Sequence, residues 1–275
     1  MSAPLEVFLP FKGGLPPLRK YLSQLYSRRQ FMAAFARSEL RRQNYGSAFG
    51  QVWLILNPLL LSAVYFLLIV IISGHADKAR YGHLTASLFI FYLVTDAIVA
   101  GAKSITSGGR LVLNSAFPRL MLPMSAAVVS LFKFLPTLLV LVVFHALLGL
   151  PFSWTMLWAI PLIALFFLFA LGCAIFFACV NVYFRDAQNL IPYLTRTLLY
   201  LSPVLYEASA LNSNLQFLKN INPMYPLLDM WSRVMVHAQL PNLHELYQSL
   251  LWTALVLIVS TYLFLSRERE FAVRI

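Results

Sequence analysis

Six long apolar stretches follow a polar N-terminal arm of about fifty residues. They lie at 53–73, 86–104, 121–149, 155–182, 189–206 and 247–265. A transmembrane helix needs about 20 predominantly apolar residues, and each stretch comes close to that length or exceeds it. The pattern therefore predicts an all-α membrane protein with six transmembrane helices.

The N-terminal arm contains a basic, mildly amphipathic segment at 28–43. Phe31 and Phe35 are four positions apart and share one face of a helix, whereas Arg37 and Arg41 share another. Such a helix lies in the membrane interface or against a protein partner. Two interpretations stay open here. One is a docking helix, and the other is a basic segment that only orients the first span.

Gly46 and Gly50 follow this segment, four residues apart, just before the first span. This spacing is typical of a tight turn or of a close contact between helices. We divide the chain into a cytoplasmic arm at 1–52, a six-span transmembrane domain at 53–266 and a short cytoplasmic tail at 267–275.

The forty residues between the last two spans, 207–246, have an apolar middle. Leu227, Leu228, Trp231 and Val234 recur there at helical spacing, but the segment is too short and too charged to span a membrane. We predict short re-entrant or interfacial helices on the outer side. The alternative is an ordinary amphipathic helix on the surface.

The distribution of positive charge predicts the orientation. Of the 21 lysines and arginines, sixteen lie in the arm, the tail and the connections on their side of the membrane, and four lie on the opposite side. The positive-inside rule then places both termini in the cytoplasm. Residues 74–85 read as a polar outer loop, and 105–120 as an inner loop with a short helix at 111–117.

Composition and motifs exclude several classes of protein. The chain is 60% hydrophobic and 11% charged, with a mean hydropathy of +0.74, which is typical of membrane proteins and of no soluble domain. Its net charge of +11 follows the topology, so we expect no nucleic-acid partner. The sequence has neither a phosphate-binding P-loop nor a metal-binding motif, and we expect no bound cofactor, no metal and no catalytic residue.

Two ionisable side chains lie inside predicted spans, where charge is costly. Asp96 in span two and Lys133 in span three are at similar depth from the inner face. We expect a structural ion pair first. A place in a water-filled conduit is the second interpretation, and a proton relay is the third.

Tyrosine recurs along the predicted spans and next to them. Its ring and hydroxyl suit sugar rings that move through a channel, and the channel candidates are Tyr45, Tyr65, Tyr92 and Tyr200. The alternative is the belt of aromatic side chains that membrane proteins place at the interface.

Three stretches together resemble a known family. They are RRQNYGSAFGQVWLILNP at 41–58, FPRLMLP at 117–123 and NVYFRDAQNLIPYLTRTLLYLSPVLY at 181–206. Over about residues 28–270 the chain is similar to the membrane permease subunit of bacterial ABC exporters for polysaccharides such as O-antigen, capsule, teichoic acid and mycobacterial galactan. Phe49 stands where the family usually has leucine.

The resemblance implies a homodimer that encloses one conduit in the bacterial cytoplasmic membrane. It also implies two copies of a separate cytoplasmic ATPase subunit, which would hold the ATP and magnesium, and a polysaccharide linked to a polyprenyl diphosphate as substrate. This chain would then be a permease subunit and not an enzyme.

The resemblance also suggests roles for particular residues. Those expected to couple to the ATPase are Arg28, Arg29, Arg37, Arg41, Arg42, Asn114, Phe117, Arg185 and Asp186. Of these, Arg185 and Asp186 match the Arg-Asp turn of the family and are expected to form a structural or ATPase-facing salt bridge. The outer gate corresponds to Asn222, Pro223, Tyr225 and Trp231.

Two other functions remain open from the sequence. One is a membrane-embedded enzyme that acts on lipid-linked sugars, and the other is a lipid- or drug-exporting permease of the same superfamily.

Overall fold

The computed structural model describes residues 17–43, 45–73, 78–108, 117–208 and 216–274, and within these ranges the regular structure is helical. Numbered in chain order, the helices are α1 (Leu18–Ser27), α2 (Arg29–Gln43), α3 (Trp53–Ser73), α4 (Lys78–Ser107), α5 (Met121–Leu148), α6 (Ala159–Tyr183), α7 (Ala187–Leu201), α8 (Leu218–Ile221), α9 (Met224–Met235), α10 (Leu243–Arg267) and α11 (Phe271–Arg274). Short 3-10 turns lie at Gly50–Val52, Trp154–Trp158 and Glu268–Glu270.

Five helices in the described part of the chain are long and apolar enough to cross a membrane. They are α3, α4, α5, α6 and α10, which correspond to predicted spans one to four and six. Helix α7 occupies the predicted fifth span but has only 15 residues. At 1.5 Å per residue it is about 22 Å long, which is less than the hydrocarbon thickness of roughly 30 Å.

The start of α4 differs from the prediction, because the helix begins two turns early. The predicted polar loop was 74–85, and all of its described residues, 78–85, belong to α4. Tyr81 and His83 have partners inside the bundle. The Tyr81 hydroxyl lies 2.5 Å from Ser62 Oγ, and His83 Nδ1 lies 2.6 Å from Ser232 Oγ. The polarity of these two residues therefore reflects internal hydrogen bonds, whereas Lys78 and Arg80 at the start of α4 are exposed.

Helix α4 is the centre of the bundle, with α5 and α6 packed along it. A Cβ at Gly101 would lie 2.6 Å from the Cα of Ala174, so α4 and α6 touch through their backbones. Gly172 repeats this arrangement between α6 and α10, where a Cβ would lie 2.9 Å from Val256 Cγ1. Small residues at such crossings let helices approach closely in a membrane, where apolar surface alone gives no preference.

The turn before α3 agrees with the prediction from the glycine pair. Gly46 and Gly50 have φ values of 78° and 49°, a left-handed conformation that glycine adopts without strain. Within the described part of the chain no atom lies within 4 Å of a Cβ built at either position, so there these glycines form a turn and not a close helix contact.

Helices α8 and α9 form the short segment predicted between the last two spans. Helix α9 is buried along most of its surface, so the alternative of an amphipathic surface helix is wrong. Trp231 is fully buried, and its indole N–H donates to the carbonyl of Ala86 at 2.9 Å. The rings of Phe134 and Phe166 lie 6.4 and 6.3 Å from the Trp231 ring. Helix α9 lies near the start of α4, and we call this end of the bundle the α9 end. Helix α2 lies against the segment before α5, and we call that opposite end the α2 end.

We predict that Gly101→Ala destabilises the bundle. The added methyl group overlaps Ala174, and overpacking of this kind costs about 1–3 kcal/mol. A thermal unfolding midpoint measured in detergent should fall. Ala100→Val is the matched control, because the half-exposed side chain of Ala100 lines a cavity. A Gly101→Ala protein as stable as the control would contradict the close crossing of α4 and α6.

Candidate functional site

Two cavities meet at a pair of opposite charges inside the bundle. Lys133 Nζ on α5 lies 3.7 Å from Asp96 Oδ2 on α4, and the two side chains remain 30% and 44% exposed. Both cavities are lined by Asp96, Lys133 and Gln43. We call the two adjoining cavities together the central cleft. The pair therefore belongs to an accessible space and is not sealed in the protein interior.

The upper cavity of the cleft lies between α3, α4 and α5 and has a volume of about 490 Å³. Its lining combines aromatic rings with amide and hydroxyl groups, from Trp53, Asn57, Tyr92, Ser130 and Thr137. Aromatic faces pack against the apolar faces of sugar rings, and the polar groups exchange hydrogen bonds with hydroxyls. This chemistry suits a hydroxyl-rich ligand.

Of the four tyrosines proposed as channel candidates, Tyr92 lines the upper cavity, whereas Tyr65 and Tyr200 are not among the described residues of its lining. Tyr65 on α3 is within electrostatic reach of Tyr92 on α4 and of Tyr200 on α7. Tyr45 is apart from them, 90% exposed in the turn before α3. Their contact with a passing substrate remains a prediction.

The second cavity, which we call the lower cavity, lies between α2, α4 and α5 and has a volume of about 660 Å³. Arg42 donates two hydrogen bonds to the Glu39 carboxylate, at 2.9 and 2.6 Å, and this contact lowers the pKa of Glu39. Lys103 also lines the cavity, and no carboxylate of the described residues lies within 4.0 Å of its ammonium group. With Lys133 and Asp96, the lining has three cations and two anions, which favours an anionic group.

The arginines expected to couple to an ATPase are exposed along the α1–α2 arm, at Arg28, Arg29, Arg37, Arg41 and Arg42. Arg29 stacks over the ring of Tyr26, with its Cζ 4.4 Å from the ring centroid. The arm thus carries a row of exposed guanidinium groups.

The phenylalanines of α2 pack against the protein. Phe31 and Phe35 have ring centroids 6.2 Å apart, and the Phe117 ring lies 6.3 Å from Phe31. One face of α2 therefore contacts the segment before α5. Asn114 and most of the predicted helix at 111–117 lie outside the described residues.

A buried carboxylate joins three separate segments at the α2 end. The Glu268 carboxylate accepts a hydrogen bond from the backbone N–H of Arg119 at 2.5 Å and another from the Tyr21 hydroxyl, and the Arg119 guanidinium donates to the Glu268 carbonyl. Burial, and secondly the charge of Glu268, raises the pKa of Tyr21, so that its hydroxyl stays protonated. We call this set of contacts the Glu268 junction.

Sequence reasoning missed this junction and α1. A signal for the helix existed, because Leu18, Tyr21, Leu22 and Leu25 follow the spacing of an amphipathic helix. For Glu268 the signal was weaker: it is one of ten acids in the chain and follows the last span directly.

The chain after α10 folds back beneath the bundle. The Arg185 guanidinium donates to the carbonyl of Arg274 at 3.0 Å, and the Tyr183 hydroxyl donates to Glu270 at 2.6 Å. Among the described residues neither Arg185 nor Asp186 has an oppositely charged group within 4.0 Å, so the structural salt bridge is not formed there, and the ATPase-facing alternative stays a prediction. Arg185 instead holds the C-terminal segment.

At the α9 end, the predicted gate residues take part in a hydrogen-bond network. The Asn222 amide donates to the Leu201 carbonyl and to Ser202 Oγ, both at 3.0 Å. The Tyr225 hydroxyl donates to the Ala208 carbonyl at 3.1 Å. Pro223, the next residue after Asn222, directly precedes α9. These bonds join the end of α7 to the start of α9.

Charged side chains continue this network to α10. Arg233 on α9 donates to Asp229 at 3.0 Å, and its Nη2 lies 3.6 Å from Glu245 on α10. His237 Nε2 lies 3.7 Å from Glu207. These residues line a further cavity of about 470 Å³ at the α9 end.

We predict that the two charges of the central cleft are coupled. Asp96→Asn or Lys133→Gln alone leaves an unpaired charge inside the membrane, and the half-exposed setting limits the loss of stability to about 1 kcal/mol. The double variant should recover most of that loss in a thermal unfolding experiment in detergent. Additive losses in the double variant would show that the two groups do not interact.

The chain is similar over most of its length to known transport proteins. The family model described as ABC-2 type transporter matches residues 29–236. An O-antigen export system permease protein RfbA of Myxococcus xanthus is 26% identical over 259 residues, which cover 92% of this chain and 98% of the relative. A protein of the same name in Klebsiella pneumoniae is 24% identical over 229 residues, which cover 83% of this chain and 88% of the relative.

Proposed function

Because the chain belongs to the ABC-2 type transporter family, we propose that it is the transmembrane subunit of an ATP-driven exporter that moves a polysaccharide linked to a polyprenyl diphosphate across the bacterial cytoplasmic membrane. The observation that carries this proposal is the near end-to-end similarity to O-antigen export permeases. The chain is a transport subunit and not an enzyme, so the alternative of a glycan-processing enzyme is set aside. The relatives favour a polysaccharide over a drug or a simple lipid.

The central cleft is the proposed path of the substrate. The upper cavity, with Trp53, Tyr92 and neighbouring hydroxyl and amide groups, receives the sugar units. The lower cavity has an excess of one positive charge and opens beneath the basic α2, which suits the diphosphate through charge-assisted hydrogen bonds. The Asp96–Lys133 pair lies where the two meet.

A second copy of the chain completes the conduit in this proposal. Helix α3 buries little of its surface in the monomer, and α7 exposes Tyr193, Leu194 and Tyr200. Helix α3 borders the cleft through Trp53 and Asn57, and Tyr65 on the same helix lies within electrostatic reach of Tyr200 on α7. A two-fold partner at this face would therefore enclose the tyrosines of both copies.

The ATPase belongs on the α2 end. Two copies of a nucleotide-binding subunit, which hold ATP and magnesium, would contact the arginines of the α1–α2 arm, Phe117 and the turn at Arg185 and Asp186. Both termini then lie in the cytoplasm, in agreement with the excess of positive charge on that side. Helix α7 and the turns that follow it up to Tyr206 supply the sixth crossing in this proposal, and Asn222, Pro223, Tyr225 and Trp231 form the outer gate.

The proposal is tested by isolating the chain from its native membrane in mild detergent and measuring ATP hydrolysis. A stoichiometric partner that contains a P-loop and hydrolyses ATP is expected, and deletion of the permease should leave the glycan inside the cell. A chain that is isolated alone, together with unchanged surface glycan in the deletion strain, would refute the exporter function.

We predict that Tyr92→Ala lowers glycan export about three- to tenfold, since one aromatic contact is worth about 0.5–1.5 kcal/mol. Co-isolation of the ATPase should not change, because Tyr92 lies in the cleft and away from the α1–α2 arm. Tyr262→Ala is the matched control, as this tyrosine is exposed on α10. Equal export by the two variants would remove Tyr92 from the substrate path.

A further inference from the structure

Helix α10 connects the two ends of the bundle. Its 25 residues extend about 37 Å at 1.5 Å per residue. At the α9 end, Glu245 lies 3.6 Å from Arg233 of α9, and the Gln248 amide donates to the Lys219 carbonyl of α8 at 3.2 Å. At the α2 end, the chain enters the Glu268 junction directly after α10. One rigid element therefore has polar contacts at each end.

The Glu268 junction holds the arm that carries the arginines. Tyr21 belongs to α1, and only Arg28 separates α1 from α2. The hydrogen bonding runs through this residue, because its N–H donates to Gln24 and its carbonyl accepts from Met32. Helix α2 is thus connected through α1 and Tyr21 to Glu268, which also holds the segment at Arg119.

Near its midpoint α10 crosses α6 closely. Val256 and Leu257, near the midpoint of the helix, lie against Gly172 of α6, where a Cβ would be 2.9 Å from Val256 Cγ1. The absence of a side chain at Gly172 lets the two backbones touch. The contact fixes the centre of α10 while the charged groups hold its two ends.

We propose that α10 links the ATPase-facing arm to α9, with Glu268 and Glu245 as the positioning residues at its two ends. Movement of the arm at the α2 end changes the orientation of α10 about its crossing with α6, and the Glu245–Arg233 contact passes this change to α9. This inference rests on the proposed function only for its transport readout, since α9 carries the proposed outer gate.

The two carboxylates can be neutralised without removing neighbouring contacts. Glu268→Gln keeps an amide oxygen that accepts the Arg119 N–H but loses the negative charge. Glu245→Gln leaves Arg233 paired with Asp229 at 3.0 Å. Both variants therefore change the attachment of α10 and preserve the shape of the side chains.

The experiment uses the complete complex of permease and ATPase in proteoliposomes and measures glycan exported per ATP hydrolysed. Each single variant should lower this ratio about fivefold, while co-isolation of the ATPase and the unfolding midpoint stay unchanged. The double variant should export no less glycan per ATP than the more impaired of the two single variants, because both substitutions interrupt the same link. Glu207→Gln is the control, since Glu207 is a carboxylate at the same end of the bundle that lies outside α10, 3.7 Å from His237.

A second measurement does not depend on the substrate. Hydrogen exchange at the backbone amides of α9 should differ between the nucleotide-free and ATP-bound complexes, and Glu268→Gln should abolish that difference. If it does so while no glycan is exported by the unmodified complex, the link stands and the proposed substrate fails. Losses of the ratio that multiply in the double variant, or an ATP-dependent change at α9 that survives Glu268→Gln, would overturn the link.

Discussion

The close packing of α4 against α6 is the contact on which the rest of the fold depends. In lipid, apolar surface does not drive helices together, so backbone approach and internal hydrogen bonds select the neighbours. Gly101 supplies the approach. Asn181 of α6 secures it nearby, because its amide donates to the Ala102 carbonyl at 2.9 Å and its oxygen accepts the Gln188 N–H of α7 at 3.1 Å. Three helices are thereby set in order around one crossing.

This arrangement also explains where the accessible polar groups lie. With α4 held against α6 on one side, its opposite side faces α3 and α5, and the cleft opens there. Asp96 and Tyr92 project from that side and Lys133 meets them from α5. Groups that would be costly against lipid therefore line a space that polar molecules can enter, and α3 completes its wall while leaving most of its own surface for another occupant.

Hydropathy predicted the fold in those places where local apolarity decides it. The limits of α3 match the predicted span, and α5 ends one residue early at Gly149, whose φ of 68° stops the helix. The prediction failed where tertiary partners decide. The polarity of Tyr81 and His83 suggested a loop, although their partners are remote in sequence. For the candidate site, the depth of Tyr65 and Tyr92 in their spans was predictable, but the side of the bundle toward which each projects was not. The Glu268 junction was also out of reach, because it joins positions 149 residues apart.

The charged groups at the two ends of α10 are better explained by position than by stability. Replacing a buried ion pair with well-packed apolar residues is often neutral or stabilising, because desolvation offsets most of the attraction. Apolar contacts would therefore hold α10 at least as firmly. The hydrogen bonds to the Glu268 carboxylate instead fix one relative position and lose strength steeply when it changes, and at the other end the Arg233–Glu245 contact of 3.6 Å is an electrostatic one. Glu268 lies where the end of α10 meets α1 and the segment at Arg119, and the Arg233–Glu245 pair lies where α10 meets α9. At these contacts a defined relative position matters more than the strength of the contact.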